Sequence, residues 1–249
     1  MTVKSNYIKP KFKKESNPRV GLLALSTDLT IERDFNSICQ KLPLDIFVNR
    51  IHNENPLTKE NLLKMYEQIE SITQKILPGE EINTIAYACT SGTIAIGEDK
   101  VKEKIQLAKP NCQVTTPITS AIKAFNKMDI KKIAVFTPYP ESVNKTISEY
   151  LIKKNINVMS FSTFNLDLDV DFARVDPKYL SEILTKININ DADALFVSCT
   201  ALPALEIIEE VEKKINKPVF SSNQTLIWDT LRSVGYKNSI MGYGKLLRN

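Results

Sequence analysis

Two ten-residue stretches of this 249-residue chain repeat one another: Thr84-Ile-Ala-Tyr-Ala-Cys89-Thr90-Ser91-Gly92-Thr93 and Ala194-Leu-Phe-Val-Ser-Cys199-Thr200-Ala201-Leu202-Pro203. Each is an apolar, strand-like run that ends in Cys-Thr and passes through small residues into a helical pattern. In an open parallel sheet, ligands bind outside the carboxyl ends of the strands, where the next helix points its free N–H groups. A cysteine there gains thiolate character from the helix dipole and stays within reach of solvent and substrate, unlike one packed among apolar side chains. Two equivalent thiols therefore predict chemistry on both faces of one small anionic molecule. For either cysteine alone a buried packing role would be the better reading, and the duplicated position is what favours a working pair.

The other two cysteines lack that context. Cys39 shares an amphipathic helical pattern with Phe35 and Ile38 and reads as a small core hydrophobe. Cys112 follows Pro110-Asn111 at a strand start, away from the ligand-binding end. No pair has Cys-x-x-Cys spacing, and His52 is the single histidine. Neither a zinc site nor a Cys-His nucleophile pair is supported, and free thiols in so long a chain fit a reducing cytoplasm. No glycine-rich phosphate cradle follows any strand, so dinucleotide and nucleoside triphosphate readings fall away. No metal is expected.

Two further loops follow apolar runs. In Ser26-Thr27-Asp28-Leu29-Thr30, the hydroxyls and carboxylate suit both capping of the next helix and contact with a substrate at the strand end. In Thr137-Pro138-Tyr139-Pro140, the prolines stiffen the backbone and direct Tyr139. Its phenol either packs at the strand end or donates to a substrate oxygen.

The elements that must position these residues alternate almost throughout, the pattern of β-α units wound into parallel sheets. Strands are predicted over 20–25, 45–51, 82–88, 113–115, 132–137, 157–161, 194–198 and 218–220. Helices are predicted over 30–41, 58–76, 93–107, 120–128, 141–154, 177–186, 203–215 and 224–234. Leu62, Met65, Ile69, Ile72 and Ile76 share one helical face and read as core. The expected fold is α/β with two pseudo-symmetric lobes, each a parallel sheet flanked by helices. A first lobe is assigned to 18–117 plus 221–249 and a second to 118–220.

Five lysines, Lys4, Lys9, Lys11, Lys13 and Lys14, stand in the first fourteen residues, against a net charge of +4 for the whole chain. The body is thus nearly neutral, which gives a nucleic-acid partner little support. Residues 1–17 read as a flexible basic arm; they lack the apolar stretch of roughly 7–15 residues that a secretory signal needs. No run of about 18 apolar residues predicts a membrane-spanning helix.

Taken together, Gly21-Leu-Leu-Ala-Leu-Ser-Thr-Asp-Leu-Thr-Ile-Glu-Arg-Asp34, Cys89-Thr-Ser-Gly-Thr93, Thr137-Pro-Tyr139 and Cys199-Thr-Ala-Leu-Pro203 make the chain resemble the aspartate/glutamate racemase superfamily. The resemblance spans about residues 21 to 236. It is nearest to the branch of maleate cis-trans isomerases, arylmalonate decarboxylases and ectoine-utilisation racemase-like proteins, and Ser26 to Asp34 looks most like the ectoine-utilisation group. The resemblance implies an interlobe site without cofactor and an oligomer of two or four copies. It implies that Cys89 attacks a double bond or removes an α-proton, and that Cys199 acts from the opposite face. Thr90, Ser91 and Gly92, with Thr200 and Ala201 in the other lobe, match segments that hold a carboxylate, and Tyr139 matches a tyrosine supporting the same pocket. Decarboxylases of this branch keep only the second cysteine, so two imply isomerisation or racemisation.

Maleate isomerases carry asparagine where this chain has Asp28 and Asp169. Acids beside a dianion would weaken its binding, so an amino acid or diamino acid derivative is the expected substrate. A maleate-type cis-trans isomerase, a decarboxylase or lyase on a small carboxylate, and a non-catalytic carboxylate-binding sensor are the alternatives.

Overall fold

Parallel strands covered on both faces read as continuous apolar runs rather than alternating ones, and the central strands of this chain fold accordingly. A computed structural model describes residues 5–12 and 17–249. Residues 1–4 and 13–16, and with them Lys4, Lys13 and Lys14 of the predicted flexible arm, lie outside the described residues. Residues 5–12 form no regular element and expose Tyr7, Ile8 and Phe12.

The first half runs β1 (Arg19–Leu25), α1 (Ile31–Cys39), β2 (Asp45–Ile51), α2 (Lys59–Lys64), α3 (Tyr66–Gln74), β3 (Thr84–Tyr87), α4 (Thr90–Ile96), α5 (Glu98–Ala108) and β4 (Gln113–Thr115). The second runs α6 (Pro117–Lys127), β5 (Lys132–Thr137), α7 (Glu141–Lys153), β6 (Asn157–Thr163), α8 (Asp169–Phe172), α9 (Pro177–Lys186) and β7 (Ala194–Val197). A 3-10 turn (Leu205–Ile207), α10 (Ile208–Ile215), β8 (Val219–Ser221), α11 (Ser222–Ser233) and α12 (Lys245–Arg248) complete it.

Among the described residues the strands form two parallel four-stranded sheets, ordered β2-β1-β3-β4 and β6-β5-β7-β8. The orders are the same, so β3 and β7 occupy equivalent places, and so do β1 and β5. Those four are buried, whereas the edge strands β2 and β6 are half-exposed. The predicted α/β fold with two parallel sheets is the observed one.

Three predicted helices are interrupted. The 58–76 stretch breaks at buried Met65, whose N–H slips to the carbonyls of Leu62 and Leu63. The 93–107 stretch breaks at Gly97, which takes φ +100, a conformation L side chains rarely adopt. Residues 200–204 are non-helical before the 3-10 turn, so the 203–215 helix starts late. The short helices α8 and α12 had no periodic signal.

Helix α11 ties the two sheets together. Residues 222–231 are all buried, and the helix packs against α6, β3, β4, β8 and α1. Its hydroxyls pair with those of the first half, Ser222 with Thr90 (2.9 Å), Thr230 with Thr115 (2.8 Å) and Ser233 with Thr84 (2.7 Å). On the second sheet, Phe125 of α6 meets Phe196 and Phe220 edge-on, at 5.4 and 5.0 Å between centroids.

Candidate active site

Cys89 stands where β3 ends and is itself the N-cap of α4: its sulfur accepts the Gly92 N–H at 3.2 Å. The Ser91 hydroxyl lies 3.8 Å from the same sulfur. Gly92 is required by crowding, since a Cβ there would sit 2.8 Å from Cys89 Sγ, 2.7 Å from Met65 Cε and 3.0 Å from the Tyr87 hydroxyl. Cys199 stands at the equivalent end of β7, where its sulfur accepts the Ala201 N–H at 3.3 Å. The Thr200 hydroxyl donates to the Ala88 carbonyl at 3.4 Å. The residue after one cysteine thus touches the residue before the other.

Tyr139 belongs to the same cluster. Its hydroxyl is close enough to the Cys199 sulfur to lower that thiol's pKa, and Cys89 and Asp169 act on the phenol electrostatically. The loop is held rigidly: the Tyr139 carbonyl accepts from Asn144 (2.8 Å) and Thr163 (2.6 Å), and the ring packs edge-on against Phe172, 5.6 Å away.

The acidic residues divide their work. Asp28 Oδ1 accepts the N–H groups of Thr30 (2.8 Å) and Ile31 (2.9 Å), capping α1, while its buried Oδ2 has no partner among the described residues. Both sequence readings of this residue are therefore open to it. Asp169, on α8, is held across the cleft by first-half groups: Asn53 Nδ2 donates to its Oδ2 at 2.6 Å and the Thr27 hydroxyl at 3.2 Å. Ser26 is exposed and reaches Asn53 (3.0 Å). The Thr90 hydroxyl is engaged by Ser222. Cys89, Cys199, Ser91, Gly92, Tyr139, Asp28, Asp169, Thr200 and Ala201 come together, with Thr27 at the margin. Ser26 joins that margin through Asn53, whereas the Thr90 hydroxyl turns away to Ser222. A cavity of about 390 Å³ reaches Ser91 along the seam between α2, α4 and α7.

One expectation is corrected. The thiols were predicted to be accessible and thiolate-prone, yet Cys89 and Cys199 are only 2% and 3% exposed. Burial pushes the Cys89 thiol up to about 12 and raises Cys199 as well, with Asp169 and Asp28 adding to the effect. The single N–H that each sulfur receives, with Ser91 at Cys89 and Tyr139 at Cys199, lowers it less than desolvation raises it. Cys39 and Cys112 are likewise buried, with thiols raised to about 12 and about 11.

Asn53 and Asn223 were missed. Both follow a strand at its carboxyl end, β2 and β8, so the rule that found the cysteines would have found them had it been applied to every strand.

A profile described as arylmalonate decarboxylase matches residues 58–247. The chain is 26% identical over 245 residues to a maleate isomerase of Geobacillus stearothermophilus, covering 92% of this chain and 96% of that protein. Its fold is similar to the maleate isomerase Iso of Pseudomonas putida S16, with TM-score 0.85 and 22% identity over 93% of this chain and 98% of that one. A mutant of the Nocardia farcinica maleate cis-trans isomerase, solved with a covalently bound succinylcysteine intermediate, matches at TM-score 0.85 and 20% identity, over 93% of this chain and 98% of that one. Among the described residues no helix is long and apolar enough to cross a membrane.

Proposed function

The chain belongs to the arylmalonate decarboxylase family, and from that membership we propose that it is a cofactor-independent two-cysteine isomerase or racemase acting on a small carboxylate. The observation that carries the reading is the pairing of Cys89 and Cys199, each at an equivalent strand end and joined through the Thr200–Ala88 contact. The amino acid or diamino acid substrate is supported by buried, unpartnered Asp28 Oδ2, an acceptor that lacks a cationic donor.

In the racemase reading one cysteine, as thiolate, removes the α-hydrogen as a proton. The C–H electron pair passes into the adjacent carboxylate, and the opposite thiol returns a proton to the other face, inverting the centre. The Gly92 N–H, which donates to Cys89 Sγ, favours the thiolate form of that cysteine, and the neighbouring Ser91 hydroxyl is the donor for the charge that develops on the substrate. Burial, reinforced by two nearby carboxylates, holds both thiols neutral. A substrate ammonium at Asp28 offsets the carboxylates' part of that effect and so favours the thiolate. We propose a cytoplasmic homo-oligomer of two or four copies; four free cysteines support the compartment.

The names of the relatives favour a second reading, cis-trans isomerisation. Cys89 thiolate would add to a C=C bond, the resulting single bond would rotate, and expulsion of the thiolate would restore the double bond.

The test is ¹H NMR in D₂O with small amino acids, N-acetylated diamino acids and cis-diacids. Racemisation exchanges the α-hydrogen, cis-trans isomerisation converts the diacid, and a lyase releases a fragment. Cys89→Ser and Cys199→Ser should each cut turnover at least about 100-fold. Good turnover of maleate with amino substrates ignored would sink the amino-acid reading, and an unimpaired Cys199→Ser enzyme the two-face mechanism.

A further inference from the structure

The two cysteine turns are built differently. Cys89 is held by its own helix, whose Thr93 N–H and hydroxyl both donate to the Cys89 carbonyl, at 3.1 and 2.6 Å. After Cys199, residues 200–204 form no helix. Two side chains from other elements take over. The Thr30 hydroxyl, at the start of α1, donates to the Thr200 carbonyl. Asn223, in the first turn of α11, donates to the same carbonyl at 2.8 Å and to Asp34 Oδ2 on α1 at 2.7 Å.

The orientation of Asn223 is dictated by this arrangement. Its Nδ2 makes both bonds, while its buried Oδ1 has no partner among the described residues. A flipped amide would aim oxygen at a carboxylate and a carbonyl, losing both donors. Asp34 and Asn223 are 3% and 1% exposed, so water does not replace either partner, and an unmade bond there is costly.

We infer that Asp34 and Asn223 are positioning residues for Cys199, bracing the Thr200 carbonyl and so setting the second thiol against the first. They act through Thr200. The inference rests on the two-cysteine reading above for its catalytic meaning, but the brace itself is testable without a substrate. Burial raises Asp34 to about 7, with Asn223 and Arg33 opposing and Asp28 and Glu206 reinforcing the rise. The ionised acceptor that suits Asn223 thus forms near neutral pH.

Iodoacetamide labelling of the full-length protein at pH 8, with peptide mass mapping, reads each thiol separately. Asn223→Leu should change the Cys199-to-Cys89 labelling ratio by about tenfold or more, since only one turn loses its brace. With a substrate in hand, kcat should fall about tenfold or more with KM changed less than about threefold. Asp34→Asn keeps an acceptor for the amide and should fall between Asp34→Leu and the parent on both measures. A parental labelling ratio overturns the inference. So does parallel acceleration of both thiols with a lowered Tm, which is the mark of general loosening. Should Asn223→Leu fail to fold, Thr30→Val removes the other donor and is read the same way. A parent protein that turns over no carboxylate defeats the functional reading alone, while the ratio still decides the brace.

Discussion

Gly92 illustrates how one residue sets the reactive geometry. The Cys89 sulfur reaches the Gly92 N–H in the first turn of α4 only because no side chain occupies the space between Met65, Tyr87 and the sulfur. Gly92→Ala should displace Cys89 Sγ and lower turnover by about tenfold or more, while the overpacking itself costs about 1–3 kcal/mol. Steady-state kinetics with a thermal melt checks this, and full activity in a folded Gly92→Ala protein would contradict the assigned crowding. Asp28 was legible in part: Ser-Thr-Asp after an apolar run announces a cap, and Oδ1 is one. That Oδ2 is buried and unpaired depends on what packs over it, which no local pattern encodes. The same holds for the thiols. Their place at strand ends follows from sequence, but their burial and raised pKa follow from distant residues closing over them.

At the scale of elements, hydrophobic periodicity located helices by the faces they bury and was blind to where they break. Helices α4 and α5 are collinear in periodicity, yet Gly97 separates them with a positive φ, and a methyl group added there would meet no atom within 4 Å. Gly97→Ala should therefore cost only backbone strain, about 1–2 kcal/mol. A urea titration should register that loss while turnover stays at the parental level; an unchanged midpoint would mean the break relaxes freely. The break at Met65 has no such residue signal. It sits where the Met65 side chain reaches towards Gly92, a contact between α2–α3 and α4 invisible along the chain. Asn53 and Asn223 open or precede elements whose role is defined by partners 116 and 189 positions away, Asp169 and Asp34.

For the whole molecule, buried carboxylates make stability depend on pH. Asp34 is raised to about 7 and Asp169 to about 6, in both cases chiefly by burial. Between the unfolded carboxylate range near pH 4 and these values the folded chain binds more protons than the unfolded one, so their contribution falls as pH rises. Above about pH 7 the full cost of burying the charge is present, and below about pH 4 it vanishes. Asp34→Asn removes one such group. Relative to the parent it should gain stability from pH 5 to pH 8, on the order of 2 kcal/mol, by urea unfolding at the two pH values. An equal difference at both would show that Asp34 does not titrate in this range.

The alternation of apolar runs and amphipathic stretches by itself determined a pair of parallel sheets with a cysteine after the third strand of each, because strand burial and helical faces leave their period in the chain. Only the tertiary structure decided that the thiols are sealed and neutral, that Asn53 and Thr27 reach across to Asp169, and that Asn223 and Asp34 hold the second turn. Desolvation and hydrogen bonding between distant residues depend on three-dimensional proximity, and that is created when the two halves pack around α11.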